Sequence, residues 1–240
     1  MTRTALVTGG SGGIGAATCR ALSAAGHYVL VGYGANADAA EKVAADCPGD
    51  AEAIHVDVTD EASVTAAVAR ATEVGTLAVV VNNAGVTNDD LLLRLDADRF
   101  DQTIEVNLRG AYLVSRAAMR PMLRARFGRI VNIASVVALR GNAGQTAYAA
   151  SKAGLIGFSK SLAREIGRKG VTVNVVAPGF VATAMTDALP AEAREALLGQ
   201  APTGRAVEAD EVAATVAFLA TDAAGSITGA VVPVDGGAGI

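Results

Sequence analysis

Seven short runs rich in Val and Ile punctuate the chain: Thr4–Thr8, Tyr28–Tyr33, Ala53–Asp57, Leu77–Asn82, Gly128–Ala134, Val171–Ala177 and Val231–Val234. Several are apolar throughout, the pattern of parallel strands covered on both faces. Longer stretches with helical spacing separate them, at Ile14–Ala25, Ala37–Asp46, Glu61–Glu73, Asp98–Arg124, Thr146–Lys169 and Ala209–Thr221. Gly26, Gly75 and Gly170 stand where helix C-terminal caps are expected, and Asp60 and Asp96 where side-chain N-caps are expected. The alternation predicts an α/β protein, a doubly wound sheet of about seven parallel strands with helices on both faces. No composition shift or repeat divides the chain, so residues 1–240 are expected to form a single domain. Thr183–Arg205, with Pro190, Pro202 and Gly204, is less regular. It follows a strand end, where ligands bind in such folds, and is expected to form a helical flap over a site; a long surface connection is the alternative.

Composition supports a large core. Of 240 residues, 51% are hydrophobic and 18% charged, while aromatics are only 4% and Trp is absent, so Ala, Val, Leu and Ile must fill the interior. The net charge of −4 supplies no general attraction for nucleic acid. Cys19 and Cys47 form no metal-ligand cluster, and no metal is expected. The chain enters a strand almost at once, which leaves no room for a signal peptide. No apolar run approaches the ~18 residues of a membrane span. A reduced, cytoplasmic protein is expected.

The first strand runs into Thr8-Gly9-Gly10-Ser11-Gly12-Gly13-Ile14-Gly15 and then a helix. A turn without side chains lets backbone approach a pyrophosphate, and the following helix N-terminus presents N–H groups and partial positive charge. This placement predicts a Rossmann-type dinucleotide site. The glycines alone leave the register open: Gly10, Gly12 and Gly15 fit G-x-G-x-x-G, while Gly9, Gly13 and Gly15 fit T-G-x-x-x-G-x-G.

Tyr148 and Lys152 lie one helical turn apart and so share a face. An ordinary phenol is a poor acid–base catalyst at neutral pH, and a neighbouring ammonium is expected to lower its pKa. Ser135 ends a strand on the edge where ligands bind, and its hydroxyl can reach a substrate carbonyl. Asn82-Asn83-Ala84-Gly85 ends another strand on that edge. Asn107, inside a long helical pattern, is a polar residue that needs a partner, structural or chemical.

Together these pieces closely resemble the short-chain dehydrogenase/reductase family over essentially the whole chain. The matches are the glycine turn in its second register, Asp57, Asn82–Gly85, Asn107, Ser135, Tyr148-x-x-x-Lys152, Pro178-Gly179 and Thr183. The resemblance implies Tyr148 as proton donor, Lys152 on the nicotinamide ribose, Ser135 orienting the carbonyl and Asn107 supporting a relay water. It implies cofactor contacts at Gly9, Ser11, Gly13, Ile14, Gly15, Gly34, Asn36, Asp57, Val58, Asn83, Ala84, Gly85, Pro178, Gly179, Val181 and Thr183. Asp57 would lie near the adenine.

An NAD enzyme usually carries a carboxylate at the end of the second strand. Here the strand ends Val31-Gly32-Tyr33-Gly34-Ala35-Asn36, which favours NADPH, with NADH as the alternative. Many relatives carry Arg where this chain has Gly12, so a 2′-phosphate would rely on Ser11, backbone N–H groups and Asn36.

Within the family, Asn82–Leu92, Gly128–Val137, Gly144–Glu165 and Val173–Phe180 resemble reductases of 3-oxoacyl groups carried on acyl carrier protein, in fatty-acid or polyketide biosynthesis. Acetoacetyl-CoA reductases and other short-chain alcohol dehydrogenases remain alternatives, and a catalytically silent nucleotide-binding partner is the non-enzyme alternative. Asn142 and Gln145 flank the approach to Tyr148 and are candidate substrate contacts. An acidic carrier protein would need a basic patch. Cations gather at Arg120, Arg124, Arg126 and Arg129 and again at Arg164, Arg168 and Lys169, and the resemblance implies docking at Arg126 and Lys169. It also implies a homotetramer built through the two long helices and the last strand.

Overall fold

The computed structural model describes residues 2–182, 198, 199 and 201–240. Seven parallel strands form one sheet in the order β3-β2-β1-β4-β5-β6-β7. They are β1 (Arg3–Val7), β2 (Tyr28–Tyr33), β3 (Ala51–His55), β4 (Thr76–Asn82), β5 (Gly128–Ile133), β6 (Val171–Pro178) and β7 (Val231–Val234). From β1 the chain winds outward to β3, then returns to β4 and winds the other way, so its direction switches between β1 and β4. That is where an open α/β sheet leaves a crevice at the carboxyl ends of its strands.

The helices are α1 (Gly13–Ala24), α2 (Ala37–Ala45), α3 (Glu61–Val74), α4 (Ala97–Ile104), α5 (Gly110–Ala125), α6 (Val137–Arg140), α7 (Thr146–Ile166) and α8 (Ala209–Leu219). Alternate side chains of each strand enter opposite layers. On one face Val7, Val29 and Val31 pack with Cys19 and Leu22 of α1, Val43 of α2 and Val212 and Val216 of α8. On the other Leu6, Leu30 and Val80 pack with Val64 and Val68 of α3, Leu113 and Met122 of α5 and Ile166 of α7. Cys19 behaves as a small apolar residue, with burial pushing its thiol up. Among the described residues, no helix is long and apolar enough to cross a membrane.

The strands and caps expected from the sequence hold with shifts at their ends. Asp60 accepts hydrogen bonds from the Ala62 and Ser63 N–H groups, and Asp96 from Arg99 N–H. Gly26 and Gly170 take the left-handed conformation of a C-cap, with φ of +86° and +80°. Gly75 does not: it is extended, and a Cβ there would lie 2.4 Å from the Thr2 carbonyl, so close approach of β1 requires the glycine. Tyr148 lies on α7, which ends at Ile166, and a 3₁₀ turn, Gly167–Lys169, follows it.

The long helix expected at Asp98–Arg124 is interrupted. One wider, π-helical turn, Glu105–Arg109, separates α4 from α5. The turn carries Asn107, whose amide clamps another segment, and Gly110 follows it. A Cβ on Gly110 would lie 2.8 Å from the Val58 side chain. Such turns mark functional positions more often than ordinary helix does.

Candidate active site

The ends of β1, β4, β5 and β6 bring four segments to one edge. After β1, Gly9 and Gly13 turn the chain with φ of +63° and +52°. A Cβ on Gly15 would lie 2.1 Å from the Gly9 carbonyl oxygen, so no larger residue fits. Gly12 is extended, with nothing within 4 Å of a Cβ placed there. The structure thereby selects the Gly9, Gly13, Gly15 register. The turn is a cradle open to solvent at Gly12 and Gly13, with Ser11 and Ile14 half-buried beside it. Such a cradle fits a dinucleotide phosphate at the α1 N-terminus.

Thr8 ties this turn to the segment after β4. Its hydroxyl accepts hydrogen bonds from the Asn83 and Ala84 N–H groups, both at 3.1 Å. Asn83 returns the contact, its side-chain amide donating to the Thr8 and Gly9 carbonyls at 3.1 and 2.9 Å. Below them Asn82 donates to Ser115 Oγ at 3.0 Å and to Asn132 Oδ1 at 2.7 Å, and Asn132 donates to Ser159 Oγ at 2.7 Å. These buried amides lock β4, β5, α5 and α7 at the edge.

Asn107 is fully buried. Its Oδ1 accepts from Val86 N–H at 2.8 Å, while its Nδ2 donates to the Val86 carbonyl and to Ser151 Oγ, both at 3.0 Å. The side chain thus joins the loop after β4 to α7. A Cβ on Gly85 would lie 3.2 Å from Asn107 Oδ1 and 3.4 Å from Lys152 Nζ, so glycine keeps the space above both open.

Lys152 is buried, and its Nζ donates to the Ile133 carbonyl, the last residue of β5, at 2.8 Å. Burial lowers its pKa to about 8. The Nζ lies 5.7 Å from the Tyr148 ring centre. The Tyr148 phenol is pushed above its ordinary pKa by burial, with a hydrogen bond to Ser135 working against this and the Asp89 charge adding to it. The expected lowering by Lys152 is therefore corrected. The ammonium points at a carbonyl, desolvation dominates, and Tyr148 is held as a phenol, the form that donates a proton. Ser135, just past β5, also accepts from Val137 N–H at 3.2 Å, which fixes its hydroxyl at the start of α6.

Asn142 and Gln145 lie at the mouth but are already engaged. Asn142 donates to Gln145 Oε1 at 2.9 Å, and Gln145 Nε2 donates to Asp89 Oδ2 at 2.7 Å. Asp57 accepts from Thr59 through both N–H and hydroxyl, which hold its carboxyl below the usual range. Val58 packs against Gly110. Gly34 faces open space, while Asn36 caps α2, its Oδ1 accepting from Ala39 N–H at 3.0 Å, so that oxygen is committed to the fold. The last residues of β2 and β3, Tyr33 and His55, meet edge to face with ring centres 5.6 Å apart. Pro178 ends β6, and a Cβ on Gly179 would lie 2.7 Å from Asp235 Cα. Val181 bridges to Val207. Thr183 and most of the expected flap, 183–197 and 200, lie outside the described residues.

Arg126 and Lys169 are brought together, but at the opposite edge of the sheet. Each is exposed and lies just before a strand, β5 or β6. A Cβ on Gly170 would lie 2.4 Å from the Arg126 carbonyl. With about 3.3 Å of rise per residue, a six-residue β5 separates this pair from Ser135 by roughly 20 Å.

Sequence reasoning missed Asp89, the Asn82–Asn132 ladder and the tie from Thr8 to the segment after β4. Thr8 stands beside the glycines, and its place at a strand end is the signal that could have found it. Nothing local marks Asp89, because its partner Gln145 is far along the chain.

A family model described as enoyl-(acyl carrier protein) reductase matches residues 9–239. The chain is 48% identical over 239 residues to 3-oxoacyl-[acyl-carrier-protein] reductase FabG of Pseudomonas aeruginosa, covering 98% of this chain and 96% of that protein. It is 46% identical over 234 residues to the protein of that name from Escherichia coli K12, covering 97% and 96%. Among solved structures, a candidate gluconate dehydrogenase from Agrobacterium tumefaciens superposes with a TM-score of 0.94 at 30% identity, covering 98% of this chain and 95% of that one. With the glycine cradle, the buried lysine and the Ser135–Tyr148 pair on one sheet edge, these matches establish that the chain is an oxidoreductase of the short-chain dehydrogenase/reductase family.

Proposed function

We propose that the protein reduces the 3-oxo group of an acyl thioester carried on acyl carrier protein to the 3-hydroxy form, with NADPH as reductant. The observation that carries this reading is the neighbouring of Ser135 and Tyr148, two hydroxyls close enough to influence each other at the open edge beside a buried ammonium. Two hydroxyl donors suit one carbonyl oxygen, and relatives named for 3-oxoacyl-[acyl-carrier-protein] reduction match along nearly the whole chain.

When bound, the reduced nicotinamide supplies hydride to the carbonyl carbon. Ser135 donates a hydrogen bond that orients the carbonyl, and Tyr148 donates its phenolic proton to the oxygen as negative charge develops there. Lys152, still mostly protonated at neutral pH with a pKa of about 8, would hold the nicotinamide ribose through its ammonium. Asn107 holds α7 against the loop after β4, and so fixes Tyr148 and Lys152 relative to the cradle. Gly9, Gly13, Gly15, Asn83 and Ala84 would hold the phosphates and adenosine, and Asp57 and Val58 the adenine. NADPH is preferred because β2 ends without a carboxylate to repel a 2′-phosphate.

Arg126 and Lys169 are proposed to dock the acidic carrier. Their distance from Ser135 requires either a carrier arm of about 20 Å or docking on a neighbouring subunit. A homotetramer through α5, α7 and β7 is proposed with them, supported by the exposed Tyr112 on α5 and the open edge of β7. A cytoplasmic location belongs to the same reading.

Loss of nicotinamide absorbance should be followed with a 3-oxoacyl carrier protein, its coenzyme A counterpart and a free ketone, each with NADPH and NADH. The fastest turnover is expected with the carrier-linked substrate and NADPH. Equal or better turnover of the coenzyme A thioester would make acetoacetyl-CoA reduction the better reading. No oxidation with any substrate would leave a silent nucleotide-binding protein.

A further inference from the structure

Three segments meet at the corner where the adenosine ribose of a dinucleotide lies: Thr8–Gly15 after β1, Tyr33–Asn36 after β2 and His55–Thr59 after β3. They contain no Lys or Arg. One residue among them can carry positive charge, and it is His55.

The structure puts that imidazole at the end of β2. Tyr33 and His55 are partners in the parallel register of β2 and β3, so their side chains leave the sheet on the same face. Their rings confirm this, meeting at 73° with centres 5.6 Å apart. Val31 projects from the same face of β2, and a Cβ on Gly10 would lie 3.0 Å from its Cγ1. The glycine turn and the Tyr33–His55 pair therefore share one side of the sheet. Nothing lies within 4 Å of a Cβ placed on Gly12 or on Gly34, and His55 is exposed on the edge strand. A dinucleotide presents its ribose 2′ position at the end of the second strand.

We propose that His55, steadied by Tyr33, recognises a 2′-phosphate on the adenosine ribose and so sets the preference for NADPH over NADH. This rests on the NADPH reading above. An imidazolium N–H donated to a phosphate oxygen is a charge-assisted hydrogen bond, and it supplies here what a guanidinium would supply from Gly12. Other charged groups surround it. Asp57 follows on the loop after β3, with its carboxylate engaged by Thr59 and further favoured by the His55 charge. Asp38, Glu41 and Lys42 lie exposed on α2, and Glu52 at the start of β3 is bound by Arg70. The phosphate would thus meet one imidazole at a rim that also carries carboxylates, which gives a moderate preference rather than an absolute one.

The test uses nucleotide fragments, so it does not depend on turnover. Adenosine 2′,5′-bisphosphate and adenosine 5′-monophosphate are titrated into the full chain by calorimetry, and the imidazole proton resonances are followed against pH. The chain has only two histidines, and His27 is buried with its pKa lowered by that burial, so the two signals separate. The bisphosphate is expected to bind about tenfold more tightly than the monophosphate and to raise the His55 titration midpoint by roughly half a pH unit or more, while the monophosphate leaves it in place. His55→Leu should erase most of the preference without weakening monophosphate binding, and His55→Arg should increase it. If the wild-type protein binds both nucleotides equally, the NADPH reading fails and this site with it. A wild-type preference that persists in His55→Leu, or a His55 midpoint that ignores the bisphosphate, overturns the role of His55 alone.

Discussion

The two edges of the sheet treat polar groups in opposite ways. At the amino edge the one buried charge is closed off, while Arg126 and Lys169 lie outside it in solvent. Arg129 is buried, yet it donates to the Gly128, Gly170 and Thr221 carbonyls and lies 4.2 Å from the Phe127 ring centre, as does Arg3, which pairs with Asp222. At the carboxyl edge amides and hydroxyls are locked from below, through Thr8, Asn82, Asn83, Asn107 and Asn132, while the groups above them stay within reach. Tyr148 is half-buried, and glycines at 12, 34 and 85 leave room over the cradle and the lysine. A charge satisfied by carbonyls and an aromatic ring stabilises the fold. A charge buried below an open space, like that of Lys152, is available for chemistry.

Breaking the carboxyl edge at its centre should have the largest effect. Tyr148→Phe removes the proton donor and should cut kcat by about 10²–10⁴-fold with nucleotide binding retained, measured by turnover and by calorimetry. Near-normal turnover would remove Tyr148 from the mechanism. Gly15→Val places a Cβ 2.1 Å from the Gly9 carbonyl and should abolish nucleotide binding and cost about 2–4 kcal/mol in denaturant unfolding. Gly12→Ala, three residues earlier in open space, should change stability by no more than about 0.5 kcal/mol.

The pH profile should expose the lysine. Its pKa is lowered to about 8, so the charged form prevails below that pH and is lost above it. The rate of carbonyl reduction should therefore hold level toward pH 7 and fall roughly tenfold per pH unit above about 8, as measured in kcat/KM profiles. For the buried Arg129 at the amino edge the effect should be on stability alone. Arg129→Met strands three carbonyls and should cost about 1–3 kcal/mol while kcat stays unchanged. The smallest effect is expected on the exposed pair. Arg126→Glu with Lys169→Glu should raise KM for a carrier-linked substrate by about five- to tenfold and leave free ketones unaffected. Equal KM values in variant and wild type would end the docking proposal.

Much of the site was legible because its chemistry is local or sits at strand ends. Tyr148 and Lys152 are one helical turn apart, and the glycines follow a strand and open a helix. Residues whose partners are distant were not legible. Asp89 meets Gln145 only because two loops converge at the mouth. The π turn at Asn107 was invisible in an unbroken helical pattern, since the groups it meets, the Val86 backbone and the Val58 side chain beside Gly110, come from other segments. Asn36 caps α2 through its oxygen, which leaves its Nδ2, the donor a phosphate would need, out of that contact, and neither role could be told from the other along the chain.

The amino-acid sequence by itself determined the alternation of strand and helix, the parallel sheet and the residues that can move a proton. These follow from apolar periodicity and from side-chain chemistry, which neighbours along the chain already express. Only the tertiary structure decided which glycines are indispensable, that burial pushes the Tyr148 phenol up and not down, and that Arg126 and Lys169 stand an entire strand length from Ser135. Each of these depends on what lies opposite a residue in space: the Gly9 carbonyl against Gly15, the burial of Tyr148, and the span of β5 between Arg126 and Ser135.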